Sequence, residues 1–216
     1  MGNHVPEFFK PQGAPVAAVL ALCDRSDANT SAQADAGKRA DLIRSAQRHL
    51  GVPETSVSSE PTGAPVWPNS HRGSLSHWGS KTVCLLAKGN AWDWGVDVEG
   101  HADAEAVRSI SQEAINASER RLLAQSDDKG RFCALVFSAK ESFFKAAFPR
   151  VGRVFGFDAL RLLSAPGSGQ MNFVTTIPLA PDLPRGTQVT VHYIQVQDAV
   201  ITWTALQASS PNSLAR

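Results

Sequence analysis

Long apolar runs are missing from this chain of 216 residues. No stretch reaches the roughly eighteen apolar residues of a membrane-spanning helix, so a helical span is excluded. Cysteine is scarce: Cys23, Cys84 and Cys133 are scattered, odd in number and without metal-ligand spacing. They read as buried free thiols of a cytoplasmic protein rather than a disulfide or zinc framework. Excess charge is also lacking. A formal net charge of +1 gives no bulk electrostatic attraction for nucleic acid or a membrane surface. The start, MGNHVPEFFKPQG, has neither the basic segment nor the apolar segment of a secretory signal. No G-x-S-x-G elbow is present, and no close internal repeat is visible. What the chain does have is 43% hydrophobic residues, enough for one or two small globular units with a real core.

The most informative stretch is Trp94-Gly95-Val96-Asp97-Val98-Glu99. Valines alternating with acids read as a short strand. Strand side chains alternate faces, so Val96 and Val98 point into a core and Asp97 and Glu99 point together to the other side. Like charges so placed repel and raise each other's pKa. They are comfortable with a cation between them, or on a solvated edge strand.

A second stretch, Phe137-Ser138-Ala139-Lys140-Glu141-Ser142-Phe143-Phe144-Lys145-Ala146, reads as helix. At helical spacing Phe137, Glu141, Phe144 and Phe148 share a face. A carboxylate within a phenylalanine stripe is costly unless paired. Lys145, at i+4, could pair with it, but a surface pair contributes only about 0.2–0.5 kcal/mol. A third carboxylate brought to the face of Asp97 and Glu99 explains the interruption better. Such a set, with water and substrate phosphates, suits Mg²⁺, which rarely has an all-protein cage.

These two stretches, with Gly63 to His77 upstream (GAPVWPNSHRGSLSH), resemble three motifs of the surfactin- and enterobactin-type 4′-phosphopantetheinyl transferases. The resemblance spans roughly residues 36 to 160. It implies an α+β fold: a pseudo-dimer of two similar halves, each a small antiparallel sheet packed with a long helix, with the active site between them. The halves are expected at 1–93, on the side of the coenzyme A adenine and 3′-phosphate, and 94–216, carrying the carboxylates. The implied activity is that of a holo-[acyl-carrier-protein] synthase: Mg²⁺-dependent transfer of 4′-phosphopantetheine from coenzyme A to a serine of an acyl or peptidyl carrier protein, releasing 3′,5′-ADP. By motif position, Asp97, Glu99 and Glu141 hold the metal. Glu141, Lys145 and Asp97 carry catalysis, with Glu141, directly or through a metal-bound water, as the base. Lys38, Arg39, Arg44, Ser76, His77, Lys140 and Lys145 hold coenzyme A. The expected state is a cytoplasmic monomer without nucleic-acid or membrane partners. The carrier is expected to be acidic, with Phe143 as an apolar contact for it.

The same resemblance exposes departures. The basic helix, expected over 38–50, is shorter than in relatives, and Ala64 stands where many carry a basic residue. A catalytically degenerate relative that only binds coenzyme A or a carrier is therefore the alternative. A hydrolase built on His77 with Ser74 or Ser76 is disfavoured, because neighbouring residues do not easily face each other. Arg72 and His71 are further sources of positive charge, Trp67-Pro68 an anchor beneath the site, and Glu119 a structural or carrier contact.

Periodicity supplies the remaining elements. Residues 1–15 are expected to run extended, and 24–36 to form a polar loop or weak helix start. Strands are expected at 16–23, 82–87, 92–99, 157–163, 171–177, 187–196 and 199–206. The second and third of these would form a hairpin through Lys88-Gly89-Asn90. Gly73 to His77 would approach an anion with backbone N–H groups. Helices are expected at 102–125 and 132–148, and a polar tail at 207–216.

Overall fold

The computed structural model describes residues 6–24 and 32–208. Residues 1–5 of the expected extended start, 25–31 of the expected loop and 209–216 of the expected polar tail lie outside the described residues. The fold is α+β, and every strand pairing is antiparallel.

One sheet joins β1 (Glu7–Phe9), β2 (Ala18–Asp24), β6 (Lys81–Lys88) and β5 (His71–Trp78) in that order. Helix α1 (Ala32–Leu50) precedes a two-residue pairing of β3 (Ser58–Ser59) with β4 (Pro65–Val66). The second sheet has the order β7 (Trp92–Gly100), β11 (Ala199–Gln207), β10 (Gln188–Val196), β9 (Gln170–Thr175), β8 (Leu160–Leu162). Between β7 and β8 run α2 (Ala104–Glu113), α3 (Ala117–Ala124) and α4 (Lys129–Val151).

Strand alternation arranges these elements in layers. On β2, Val19 and Ala21 meet Leu42, Ile43 and Ala46 of α1. Leu20 and Leu22 face the other way and join Val83, Leu85, Trp94, Val96, Val98, Ile201 and Trp203 in a core between the two sheets. A third core packs the opposite face of the second sheet against α4, through Phe143, Val136, Phe173, Val191 and Val200 among others. The order is α1, first sheet, second sheet, α4. The two halves share a topology: in each, an early strand (β2, β7) pairs with the last (β6, β11), which also pairs with the one before it (β5, β10).

Several elements differ from expectation. β6 and β7 are not a hairpin; β6 pairs with β2 and β5, and β7 pairs with β11 in the other sheet. Adjacency in sequence suggested a pairing that the alternating apolar faces override. Gly73 to His77 is part of β5, not an anion loop. A side chain at Gly73 would meet the Leu85 carbonyl at 2.4 Å, so this glycine permits close strand packing. The helix expected over 102–125 breaks at Asn116, which accepts from the N–H groups of Ser118 and Glu119 while Glu119 accepts from its own N–H, a reciprocal cap. α4 runs through Pro149 to a left-handed Gly152. Pro149 falls in the last turn, so the intrahelical bond it removes lies next to the helix end. α1 starts at Ala32, six residues before the expected start, and β1 adds an edge strand within the expected extended segment.

Candidate active site

Gly95 lets the long helix reach the acidic strand. A Cβ at this position would lie 1.7 Å from the Ser142 carbonyl oxygen and 2.8 Å from the Ala146 nitrogen. α4 therefore rests directly on β7. Its seat is fixed on the neighbouring strand β11, where the Ser142 hydroxyl donates to the Thr202 carbonyl at 3.0 Å and the Ser138 and Thr202 hydroxyls lie 2.9 Å apart. Ser138 and Ser142 are one helical turn apart, a sequence signal of small polar residues on a buried face.

This seat brings Lys145 over the strand. Its ammonium donates to Asp97 Oδ1 at 2.7 Å, Ser76 Oγ at 3.0 Å and the Val96 carbonyl at 3.1 Å. The Ser76 hydroxyl also donates to Asp97 Oδ1, at 2.7 Å. Two residues earlier on β5, the Ser74 hydroxyl accepts from the Val96 N–H at 3.1 Å, tying the first sheet to the second. The serine-x-serine spacing of Ser74 and Ser76 on one strand face is the sequence signal for this contact.

Asp97 is only 3% exposed, and its second oxygen, Oδ2, is buried without a hydrogen-bond partner. An uncompensated carboxylate oxygen in that setting is costly, and a cation removes the cost. The neighbouring acids respond to the same field. Burial pushes the Glu99 carboxyl up to about 7; the charges of Asp97 and Glu141 push the same way and Lys145 opposes them. Burial also raises the Glu141 pKa, with Asp97 adding and Lys145 opposing. Among the described residues, no three His, Cys, Asp or Glu side chains converge into a ready-made metal cage. The chemistry nonetheless fits magnesium. It is a hard cation that takes one or two carboxylates and completes its shell with water and phosphate oxygens.

Other expected site residues stand elsewhere. Lys140 is not brought to this group. Its side chain is buried, with the ammonium donating to Glu119 Oε2 at 2.8 Å and the Ala114 carbonyl at 2.7 Å. It leaves the helix on the core side, and burial lowers its pKa against the opposing charge of Glu119. Glu119 is fully buried and also accepts from the Leu162 N–H at 2.7 Å, so it has a structural place and no surface for a carrier. Phe143 is 1% exposed and belongs to the core, which corrects its expected carrier contact. Phe137, Glu141, Phe144 and Phe148 share the half-exposed side of α4; the deeply buried side is the one with Ala139, Phe143 and Ala147.

His77 is exposed and follows Ser76 on β5, so it points to the opposite face, the one α1 covers. Lys38 and Arg39 are half-buried, and Arg44 is exposed and paired with Asp41. These basic residues lie on the far face of the first sheet, apart from the Asp97 group. Arg72 donates to the Trp67 and Pro68 carbonyls at 3.2 Å, and His71 is fully buried beside Gln47 at 3.2 Å. Neither offers a free cation. Trp67 packs with the α1 core. Cys84 and Cys133 are buried free thiols, and Cys23 is partly exposed. No described helix is long and apolar enough to cross a membrane.

Two cavities flank these elements. One of about 360 Å³ opens beside Glu141 and Phe144. A larger cleft of about 680 Å³ lies between β1, β2 and the end of α1, lined by Phe8, Lys10, His49 and Lys88 among others, and includes none of the acidic group.

A family model described as the 4′-phosphopantetheinyl transferase superfamily matches residues 93–203, just over half of the chain. The chain belongs to this superfamily. The matched segment runs from β7 into β11 and so contains Asp97, Glu99, Glu141 and Lys145. The chain is similar to 4′-phosphopantetheinyl transferase Npt of Nocardia iowensis, 31% identical over 53% of this chain and 51% of the relative. It is similar to 4′-phosphopantetheinyl transferase Svp of Streptomyces mobaraensis, 30% identical over 62% of this chain and 56% of the relative. It is also similar to enterobactin synthase component D of Salmonella typhi, 33% identical over 46% of this chain and 42% of the relative. The matches span about half the length of these curated relatives.

Proposed function

We propose that this chain transfers the 4′-phosphopantetheine group of coenzyme A to a serine of an acyl or peptidyl carrier protein, with release of 3′,5′-ADP. The observation that carries the reading is the group Ser76–Asp97–Lys145, with the buried Asp97 Oδ2 lacking a partner. It supplies a cation, a hydroxyl and an uncompensated carboxylate at one point where two sheets meet.

Phosphoryl transfer asks a protein mainly to position groups and neutralise charge. Asp97, Glu99 and Glu141 would hold Mg²⁺. When bound, the ion supplies charge neutralisation on the diphosphate and stabilises the leaving group. Lys145 contributes a mobile ammonium that can leave Asp97 for a phosphate oxygen. The Ser76 hydroxyl can donate to the same diphosphate. Glu141 would take the proton of the incoming serine.

Ser76 and His77 lie on opposite faces of edge strand β5, which supports a donor laid over that edge. Its 3′-phosphate end would then meet His77 and the α1 residues Lys38, Arg39 and Arg44. On this reading the division falls at 1–93 and 94–216, with the site between the halves. The protein would act as a cytoplasmic monomer on a transient carrier partner. The alternative, a relative that binds coenzyme A or a carrier without turnover, is favoured only by Ala64 in place of a basic residue.

An endpoint mass assay tests the proposal. The chain, coenzyme A, Mg²⁺ and apo carriers of fatty-acid and peptidyl type are mixed, and one added phosphopantetheine is sought. Modification is expected, with loss of at least about a hundredfold in rate for Glu141→Gln, and loss with EDTA. Coenzyme A binding with no modification of either carrier would favour the binder.

A further inference from the structure

We infer that the large cleft between β1, β2 and the end of α1 binds an aliphatic monocarboxylate, its head held by Lys10 and Lys88 and its chain lying along Val16, Val19 and Leu50. This goes beyond the transferase reading and does not rest on it.

The cleft is separate from the acidic group. On β6, Ala87 pairs with Ala18 at the cleft and Val83 pairs with Ser76 at the site, about 13 Å apart along the strand. Across the sheet, β1 and β5 are opposite edges. His49 lies about 16 Å along α1 from Lys38. The cleft is therefore no extension of the proposed donor path.

Three observations define the ligand. The first is charge. Lys10, His49 and Lys88 reach the cleft from three places in the fold, and no Asp or Glu is among its lining residues. Arg48, next to His49, is by contrast paired with Glu54 at 2.9 Å. The carbonyl end of a helix attracts cations, which accounts for His49 and Lys88 at the end of α1 but not for Lys10. An anion meets positive groups from more than one side. The second is the surface between them. Val19 is 2% exposed, and Val16 and Leu50 pack on the cores to either side. A polyanion laid along these residues would bring charge against hydrocarbon, at a cost. A single carboxylate on an apolar chain keeps its charge at the lysines and its chain on the valines. The third is the kind of apolar surface. Phe8 stacks on His49 with ring centres 4.3 Å apart and planes within 13°, and Phe9 packs into the core between the sheets. Those ring faces are spent, and alkyl side chains make up most of what is left for a ligand.

Size agrees with this class. A volume of about 680 Å³ lies well within the range of small-molecule sites, so the cleft has room for a chain as well as a head group. Lys10 and Lys88 are exposed, and their flexible stems can fold over the chain while the ammonium groups stay on the carboxylate.

The test uses the full chain with acetate, hexanoate, decanoate, decanol and decyltrimethylammonium, each below its micelle concentration. Binding is read by calorimetry and by the rise in melting temperature that a ligand of the folded state produces. The proteins are the parent, the double variant Lys10→Glu with Lys88→Glu, and Ala17→Trp. All three positions carry exposed side chains lining the cleft, so the unliganded variants should melt with the parent. Decanoate is expected to bind the parent at least about tenfold more tightly than hexanoate. It should bind about fivefold or more tightly than decanol or the ammonium. Acetate should produce no shift. The double variant should erase the preference for decanoate over decanol, and the indole of Ala17→Trp should weaken decanoate by at least about tenfold by filling the cleft. No decanoate binding by the parent at millimolar concentration, decanoate bound no better than decanol, or an affinity unmoved in both variants overturns the inference. Each of those results leaves the transferase reading intact, because carrier modification is measured separately.

Discussion

Lys145 donates to the buried Asp97 carboxylate, and its removal leaves Oδ1 with only the Ser76 hydroxyl among the described residues. Lys145→Met is expected to destabilise the fold by on the order of 2 kcal/mol, less than for a fully buried pair because the lysine is partly exposed. Urea unfolding measures it, and Lys145→Met with Asp97→Asn should restore much of the loss. Glu99 gives a pH signature. Its folded pKa, about 7, lies above the 4.5 of an unperturbed glutamate. The folded state therefore holds a proton that the unfolded chain has released, and stability falls as pH rises through the window from 4.5 to 7. Glu99→Gln should have a higher melting temperature than the parent at pH 8 and match it at pH 4. Added Mg²⁺ at pH 8 should raise the parent more than the variant. A parent melting temperature flat across that window would contradict the burial of Glu99.

At the scale of elements, the decisive contact is α4 on β7. Only a glycine at 95 lets the helix backbone come so near the strand. Backbone atoms, unlike a flexible side-chain end, cannot step aside. Gly95→Ala is expected to cost about 3 kcal/mol or more, or to prevent folding, as read by circular dichroism and thermal melting. The motif's glycine thus has a packing role that puts Lys145 within reach of Asp97. The same seat places the phenylalanine stripe of Phe137, Phe144 and Phe148 at the half-exposed side. The 3.6-residue period showed that these residues share a face; it could not show which face met the sheet.

At the scale of the molecule, the site exists because two sheets meet. Ser74 and Ser76 come from an edge strand of one, and Val96 and Asp97 from an edge strand of the other. Ser74→Ala leaves the buried Val96 N–H without its partner and should cost about 1–3 kcal/mol. It should also lower transfer by loosening the junction, which urea unfolding and the carrier mass assay measure together. A stable, fully active Ser74→Ala protein would mean that the core between the sheets holds the halves in register unaided.

The α+β class, the long helix, the acidic strand and the late strands were legible in the sequence, because alternation and helical period are local properties of side chains. Asp97, Glu99, Glu141 and Lys145 stood out in the sequence through the resemblance of their motifs, and the structure brings Lys145 onto Asp97. Partner choice was not. The expected hairpin of β6 and β7 failed because pairing depends on which apolar face must be buried, a property of both sheets at once. Lys140 and Lys145 are both lysines on one helix, and only the azimuth of α4 decides that one meets Glu119 in the core and the other Asp97 at the sheet junction. Burial and charge are likewise set by what packs around a residue. The chain by itself determined which chemical groups are available; the tertiary structure decided which of them share a low-dielectric space.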